Sequence, residues 1–180
     1  MAAEIENRLR SLGARPAFRI IVASGKRSAL PHGYATKKVI RRGDLVVIDF
    51  GALYRGFRSD FTRTVVAGKP TARQLKIMAV VKEAQKRAIK KVKAGVRCAE
   101  IDRAARGYIE KSGFGKYFVH STGHGICRKT HEAPKLSRKN RRKVSAGKVI
   151  TIEPGIYIKG FGGVRIEDMV LVTPQGARIL

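Results

Sequence analysis

Cysteine is scarce, acids are few and no long apolar run occurs, and each shortage closes off a class of protein. Cys98 and Cys127 show no CxxC spacing, which argues against a disulfide framework and fits a reducing compartment. No stretch approaches the roughly 20 apolar residues of a membrane-spanning helix. The amino terminus, MAAEIENRLR, is charged from its fourth residue, unlike a signal peptide. The reading is a cytoplasmic protein that stays out of the membrane. Only 13 acids face 39 Lys and Arg, giving a formal net charge of +26. Such an excess attracts polyanions whatever the fold, because neutralising phosphate drives sequence-independent nucleic-acid binding. The bases are also clustered, with seven Lys and Arg and no acid between Lys135 and Lys148. A nonspecific nucleic-acid or other polyanion contact therefore stands beside the plainer reading of a solubilising surface.

What is present suits one domain over residues 1–180, with 43% hydrophobic residues and length enough to bury a core without disulfides. The segment Val46 to Arg63, VVIDFGALYRGFRSDFTR, reads as a β-hairpin. Folding it about Tyr54 and Arg55 pairs Gly51 with Arg58 and Asp49 with Asp60. Directly opposite residues share a face at a Cβ separation of roughly 5 Å, so two carboxylates become neighbours. Their repulsion calls for a shared proton or a divalent cation.

In chain order, Ile5, Leu9 and Leu12 mark a short amphipathic helix ending near Gly13, AFRIIVAS a strand, and SGKRSALPHGYAT a loop carrying His32. Thr71 and Gln74 have capping-box spacing. Ile77, Val81, Ala84, Ala88 and Val92 recur on one face of a long helix up to Ala94. A second helix covers Ala99 to Lys111. Neither helix shows a chemical motif, and both are assigned to covering one face of a sheet.

From Phe118 the character changes: FVHSTGHGICRKTHEAP places His120, His124 and His131 within twelve residues. Glycines on both sides of His124 would let the backbone crowd a ligand or ion. The last block, VITIEPGIYIKGFGGVRIEDMVLV, folds about Gly160 to pair Glu153 with Glu167, with Arg165 on the face of Glu167. Its glycines serve a turn, since no phosphate-binding helix follows. Two related halves thus each give an acidic hairpin, with His124 between them. Four carboxylates and an imidazole suit oxygen-loving divalent ions better than a closed thiolate site, and their charge is enough for two cations that support hydrolysis.

Asp49, Asp60, His124, Glu153 and Glu167, in the contexts IDFG, SDFTRT, GHGI, TIEPG and RIED, closely resemble the pita-bread metallopeptidases, a family of methionine aminopeptidases, aminopeptidases P and prolidases. SGKRSALPHG, His120 and Arg165 resemble the prolidase and Xaa-Pro aminopeptidase branch. The resemblance covers the chain from about Phe18 onward. It implies an α+β fold whose pseudo-two-fold antiparallel sheet is covered by helices, shortened at its amino end and without the separate amino-terminal domain that supports dimerisation in that branch. A homodimer is among the assemblies it allows. It implies two divalent metal ions, manganese or cobalt ahead of zinc or iron. Asp49 would bind one ion, Asp60 and Glu167 both, and His124 and Glu153 would complete the set, with Glu153 also relaying a proton. His120 and His131 would stabilise the tetrahedral intermediate and hold substrate. His32 would contact substrate near the leaving group, and Arg165 would act on the proline side or its carboxylate. The implied reaction is hydrolysis of the bond preceding proline, in a dipeptide or at a peptide's amino end. The rival reading is a non-catalytic pita-bread module that binds RNA or ribosomes through its basic surface.

Overall fold

The computed structural model describes all 180 residues. The amino-terminal helix α1 (Ala2–Ser11) forms as its spacing predicts, yet none of its residues is fully buried. Strands β1 (Arg15–Pro16) and β2 (Ile21–Ser24) follow, then a short 3-10 turn (Gly25–Ala29) and the loop with His32. The strand expected over AFRIIVAS is confined to its second half. Next come β3 (Leu45–Phe50), β4 (Ala52–Tyr54), β5 (Phe57–Arg58) and β6 (Phe61–Val66). Helices α2 (Ala72–Lys91) and α3 (Cys98–Lys111) lead into β7 (Gly123–Gly125), β8 (Glu132–Leu136), β9 (Val149–Ile152), β10 (Gly155–Ile158), β11 (Gly162–Arg165), β12 (Asp168–Val172) and β13 (Ala177–Ile179).

Every strand pairing is antiparallel. One sheet runs β2-β3-β6 and another β13-β12-β9-β7-β8. They meet at a single bridge between Thr62 and Glu167. Thr64 reinforces that seam, its hydroxyl donating to the Arg165 carbonyl (2.9 Å) and accepting from the Arg165 amide (3.0 Å).

The capping box of α2 is present. Thr71 Oγ1 accepts from the Gln74 amide (3.2 Å) and Gln74 Oε1 from the Thr71 amide (2.8 Å). Ile77, Val81, Ala84 and Ala88 of α2, and Ile101, Ala105 and Ile109 of α3, pack on Ile150, Ile152, Ile156, Val164 and Val170 of the sheet. Side chains alternate along a strand, so with Ile150 and Ile152 toward the helices, Thr151 and Glu153 turn to the opposite face. Ile156 and Val164 likewise send Tyr157 and Arg165 away from the core. Truncating one fully buried core side chain such as Ile101 would cost about 2–5 kcal/mol.

The first hairpin departs from its expected register. Tyr54 pairs with Phe57 and Asp49 with Thr62, so Asp49 and Asp60 are diagonal and not opposite. The turn sits at Arg55 and Gly56, with φ of 49° and 82°. Two successive positive φ values define the hairpin turn that glycine favours, and Gly56 pulls the turn one residue along. The slip is two residues, so both aspartates keep their face. The second hairpin has the expected register: Gly155 pairs with Arg165 and Ile158 with Gly162, around Gly160 at φ 82°.

Candidate metal centre

Five side chains converge where the two sheets meet. Asp49 enters from β3, Asp60 from the residue before β6, His124 from β7, Glu153 from the residue after β9 and Glu167 from the residue before β12. Donor atoms of Asp60, His124 and Glu167 all lie within 4.8 Å of one another. Asp49, Asp60, His124 and Glu167 are buried, while Glu153 is partly exposed. They line a cavity of about 860 Å³ together with His32, His120, His131 and Arg165. Every residue singled out from the sequence thus borders one space.

His124 Nδ1 lies 3.0 Å from the Gly125 carbonyl oxygen, which can only accept, so the ring proton is on Nδ1. Its Nε2 therefore presents a lone pair toward Glu153 Oε1 at 3.4 Å and Asp60 Oδ2 at 3.7 Å. Lone pairs facing carboxylates need a proton or a cation between them. The glycines flanking His124 serve the sheet and not a ligand: a Cβ at Gly123 would strike the Thr151 carbonyl, and one at Gly125 the Ala133 carbonyl.

Among the side chains lining the cavity, Arg165 is the one buried cation against four carboxylates. Its Nη2 donates to Asp49 Oδ2 (2.5 Å), Nη1 to the Tyr157 hydroxyl (2.8 Å) and the Pro31 carbonyl (3.0 Å), and Nε to Thr62 Oγ1 (3.2 Å). All three nitrogens are thereby engaged within the protein. Thr62 Oγ1 donates in turn to Glu167 Oε2 at 2.6 Å. Asp49 Oδ1 is buried with no partner. An orphaned carboxylate oxygen costs about 1–3 kcal/mol or more, and a cation would satisfy it.

The titration behaviour agrees with this crowding. Burial, then the Asp49 and Glu153 charges, push Asp60 up to about 8. Burial, opposed by Arg165, raises Glu153 to about 7. Burial and the neighbouring carboxylates lift Glu167 well above the usual carboxyl range, and burial raises Asp49 despite Arg165. Burial lowers His124 and His120 to about 4, so both rings are neutral near pH 7. The residues fit divalent cations: oxygen donors, a free imidazole lone pair and an uncompensated negative charge.

His120 donates from Nδ1 to the Ser121 carbonyl (2.8 Å), and its Nε2 accepts from the Tyr157 hydroxyl (2.9 Å). Asp49, Arg165, Tyr157 and His120 thus form one bonded chain. His131 is exposed, its ring centroid 4.4 Å from that of His124, and His32 is exposed on the loop after Pro31. Sequence reasoning missed Tyr157 and Thr62. The available signal was parity: Tyr157 shares the face of Glu153, and Thr62 that of Asp60.

The architecture is the pita-bread fold: helices over one face of a doubled antiparallel sheet, with the carboxylates on the other. The model of metallopeptidase family M24 matches residues 1–174, and the chain belongs to that family, whose members depend on divalent metal. It is 52% identical over 181 aligned positions to an Xaa-Pro dipeptidase of Pyrococcus furiosus, covering 100% of this chain and 52% of that protein. The solved prolidase of Pyrococcus furiosus superposes with a TM-score of 0.98 at 52% identity, over 99% of this chain and 53% of that one. An X-Pro aminopeptidase of Thermotoga maritima gives 0.97 at 47% identity, over 99% and 51%. The chain spans about half the length of the curated relatives it matches.

Proposed function

We propose that this chain hydrolyses the peptide bond preceding proline, in a dipeptide or at the amino end of a peptide, with residues 1–180 acting as one catalytic domain. The observation that carries the reading is the convergence of Asp60, His124 and Glu167 donor atoms within 4.8 Å on the floor of a peptide-sized cavity. Membership of family M24, with relatives named Xaa-Pro dipeptidase, supports the substrate class. Asp49, Asp60, His124, Glu153 and Glu167 would hold two divalent cations, with manganese or cobalt ahead of zinc or iron given so many oxygen donors. What such ions would supply there is a lowered pKa for water and polarisation of the scissile carbonyl.

The chain's own side chains orient the substrate and move protons. Glu153, partly exposed at the edge of the floor, takes the proton of the attacking water and delivers it to the departing proline nitrogen. His131, on the rim with no bond to another side chain, donates to the developing oxyanion. His120 and His32 border the substrate. Arg165 works through its neighbours, fixing Asp49 on one side and the Tyr157–His120 pair on the other. The test is release of proline from an Xaa-Pro dipeptide by purified protein with Mn²⁺ or Co²⁺, abolished by Asp60→Asn or His124→Ala. No turnover with any divalent metal refutes the reading.

A polyanion contact is compatible with catalysis and is favoured by one observation. The acid-free segment from Lys135 to Lys148 is largely exposed at the cavity mouth, where Lys135 and Arg142 line it. A purely non-catalytic module would have no use for the converged donors. Two free cysteines support a reducing, cytoplasmic setting.

A further inference from the structure

Helix α3 carries no chemical motif, yet it buries an ion pair directly behind the histidine segment. Asp102 is fully buried and Arg106 is 7% exposed. Arg106 grips the carboxylate with two parallel bonds, Nε to Oδ2 and Nη2 to Oδ1, both 2.8 Å. The same guanidinium donates to the Phe118 carbonyl (2.9 Å) and the His120 carbonyl (2.6 Å), and lies 4.0 Å from the Phe118 ring centroid. On the other side, Thr122 Oγ1 donates to Asp102 Oδ1 at 2.8 Å. One pair therefore holds three alternate residues, Phe118, His120 and Thr122, of the segment entering β7.

Backbone bonds fix that segment only at its ends, from the Phe118 amide to the Gly115 carbonyl (3.3 Å) and from the Thr122 amide to the Leu136 carbonyl (2.9 Å). The backbone N–H groups of Val119, His120 and Ser121 have no backbone partner. The Thr122 carbonyl accepts from the Glu153 amide at 2.8 Å, so the tether extends to the strand end bearing Glu153. Burying two charges costs several kcal/mol each before they pair, and an apolar pair would fill the same space. What apolar side chains could not do is aim three charge-assisted bonds at one loop.

We propose that Asp102 and Arg106 are positioning residues, which hold His120 and the entry to β7 in place against the candidate metal centre. The functional consequence rests on the hydrolase reading; the geometric one does not. Lysine cannot substitute for the arginine, because one ammonium cannot span a carboxylate and two carbonyls in the plane that the guanidinium fork provides. The ligands themselves have other anchors: Thr62 for Glu167, Gly125 for His124, and Thr151 for Glu153. Disturbing the pair should therefore misplace His120 while leaving cation affinity nearly intact.

The experiment compares Arg106→Lys and Asp102→Asn with Ile109→Ala, a core truncation on the same helix that touches none of these bonds. Three quantities are read on the full chain: kcat and KM on an Xaa-Pro dipeptide, Mn²⁺ affinity by calorimetry, and the His120 ring resonance in the metal-free protein. Arg106→Lys and Asp102→Asn are expected to lower kcat at least tenfold with KM and Mn²⁺ affinity within threefold, and to displace the His120 resonance while that of His32 stays. Ile109→Ala is expected to lower the melting temperature but to keep kcat within threefold and the His120 resonance in place. Should either pair variant fold poorly, Thr122→Val leaves the ion pair whole and removes only its hydroxyl tie, and is expected to move the His120 resonance in the same direction. An unmoved resonance in these variants overturns the proposal, as does an equal kcat loss in Ile109→Ala. If the wild type shows no turnover, the hydrolase reading fails, and the resonance still decides the positioning role.

Discussion

Removing the cations should make the protein less stable as the solution becomes more alkaline, which few folded domains do near neutrality. Asp60 titrates at about 8 and Glu153 at about 7 in the folded chain, first because both carboxyls are largely withdrawn from water; neighbouring carboxylates add to the shift, and Arg165 opposes it. Unfolded, both sit near 4. A folded pKa above the unfolded one means that the folded state binds more protons between the two values. Its stabilisation is complete below about pH 4 and is lost as pH rises through the folded value. His124 and His120, lowered to about 4, act in the opposite sense, mostly below their unfolded pKa of roughly 6.5. Half protonated in the unfolded chain at pH 6.5, they return only about 0.4 kcal/mol each above it, so the carboxyls dominate between pH 6.5 and 8.5. At about 1.4 kcal/mol per pKa unit, Asp60 alone loses roughly 2 kcal/mol across that window. For a chain of this size that is a fall of about 4–8 °C in melting temperature. Thermal unfolding followed by circular dichroism, in chelator and in excess Mn²⁺ at both pH values, reads it directly. Cations replace the missing protons, so the stabilisation by Mn²⁺ should be larger at pH 8.5. Asp60→Asn, with a neutral amide in the same place, should flatten the chelated profile. A chelated melting temperature that holds or rises from pH 6.5 to 8.5, or an Asp60→Asn profile as steep as wild type, would refute the electrostatic account of the site.

Arg165→Met leaves Asp49 without its partner and should destabilise the metal-free protein by about 3–5 kcal/mol, measured by urea unfolding; a loss under 1 kcal/mol would mean the pair is not what stabilises Asp49. Thr62→Val removes the donor that orients Glu167, and calorimetry should show Mn²⁺ affinity about tenfold weaker in a protein with unchanged circular dichroism. Gly123→Ala drives a Cβ into the Thr151 carbonyl and should prevent stable folding, whereas Gly107→Ala, mid-helix in open space, should stabilise by about 0.5–1 kcal/mol; equal melting temperatures for the two would contradict the packing at the histidine strand. RNA retention on the basic segment should fall steeply between 50 and 200 mM salt and survive Asp60→Asn, and salt-independent binding would remove that surface as its cause.

Which side chains face the cavity was largely legible from alternation. Asp49 and Asp60 keep a common face although their hairpin is offset by two residues, because strand side chains repeat with period two and an even slip changes partners without changing sides. The second hairpin was readable in register as well, since it turns where expected, at Gly160 with its positive φ. In the first, Arg55 adopts a positive φ with Gly56, which its residue type does not advertise. The helix faces were equally plain from spacing, and α3 shows its Asp102 and Arg106 four residues apart. Nothing in that spacing says the pair is buried, or that its bonds go to a segment more than ten residues away.

Taken alone, the chain's order of residues singled out the five candidate donors and determined their local strand and turn settings and the apolar stripes that bring α2 and α3 onto the sheet. The seam between Thr62 and Glu167, the wiring of Arg165 to Asp49 and Tyr157, and the hold of Arg106 on His120 were decided only when the halves closed together. The physical reason is range: alternation, capping and turn preference act over a few neighbours, whereas those contacts depend on which surfaces meet after distant segments have packed.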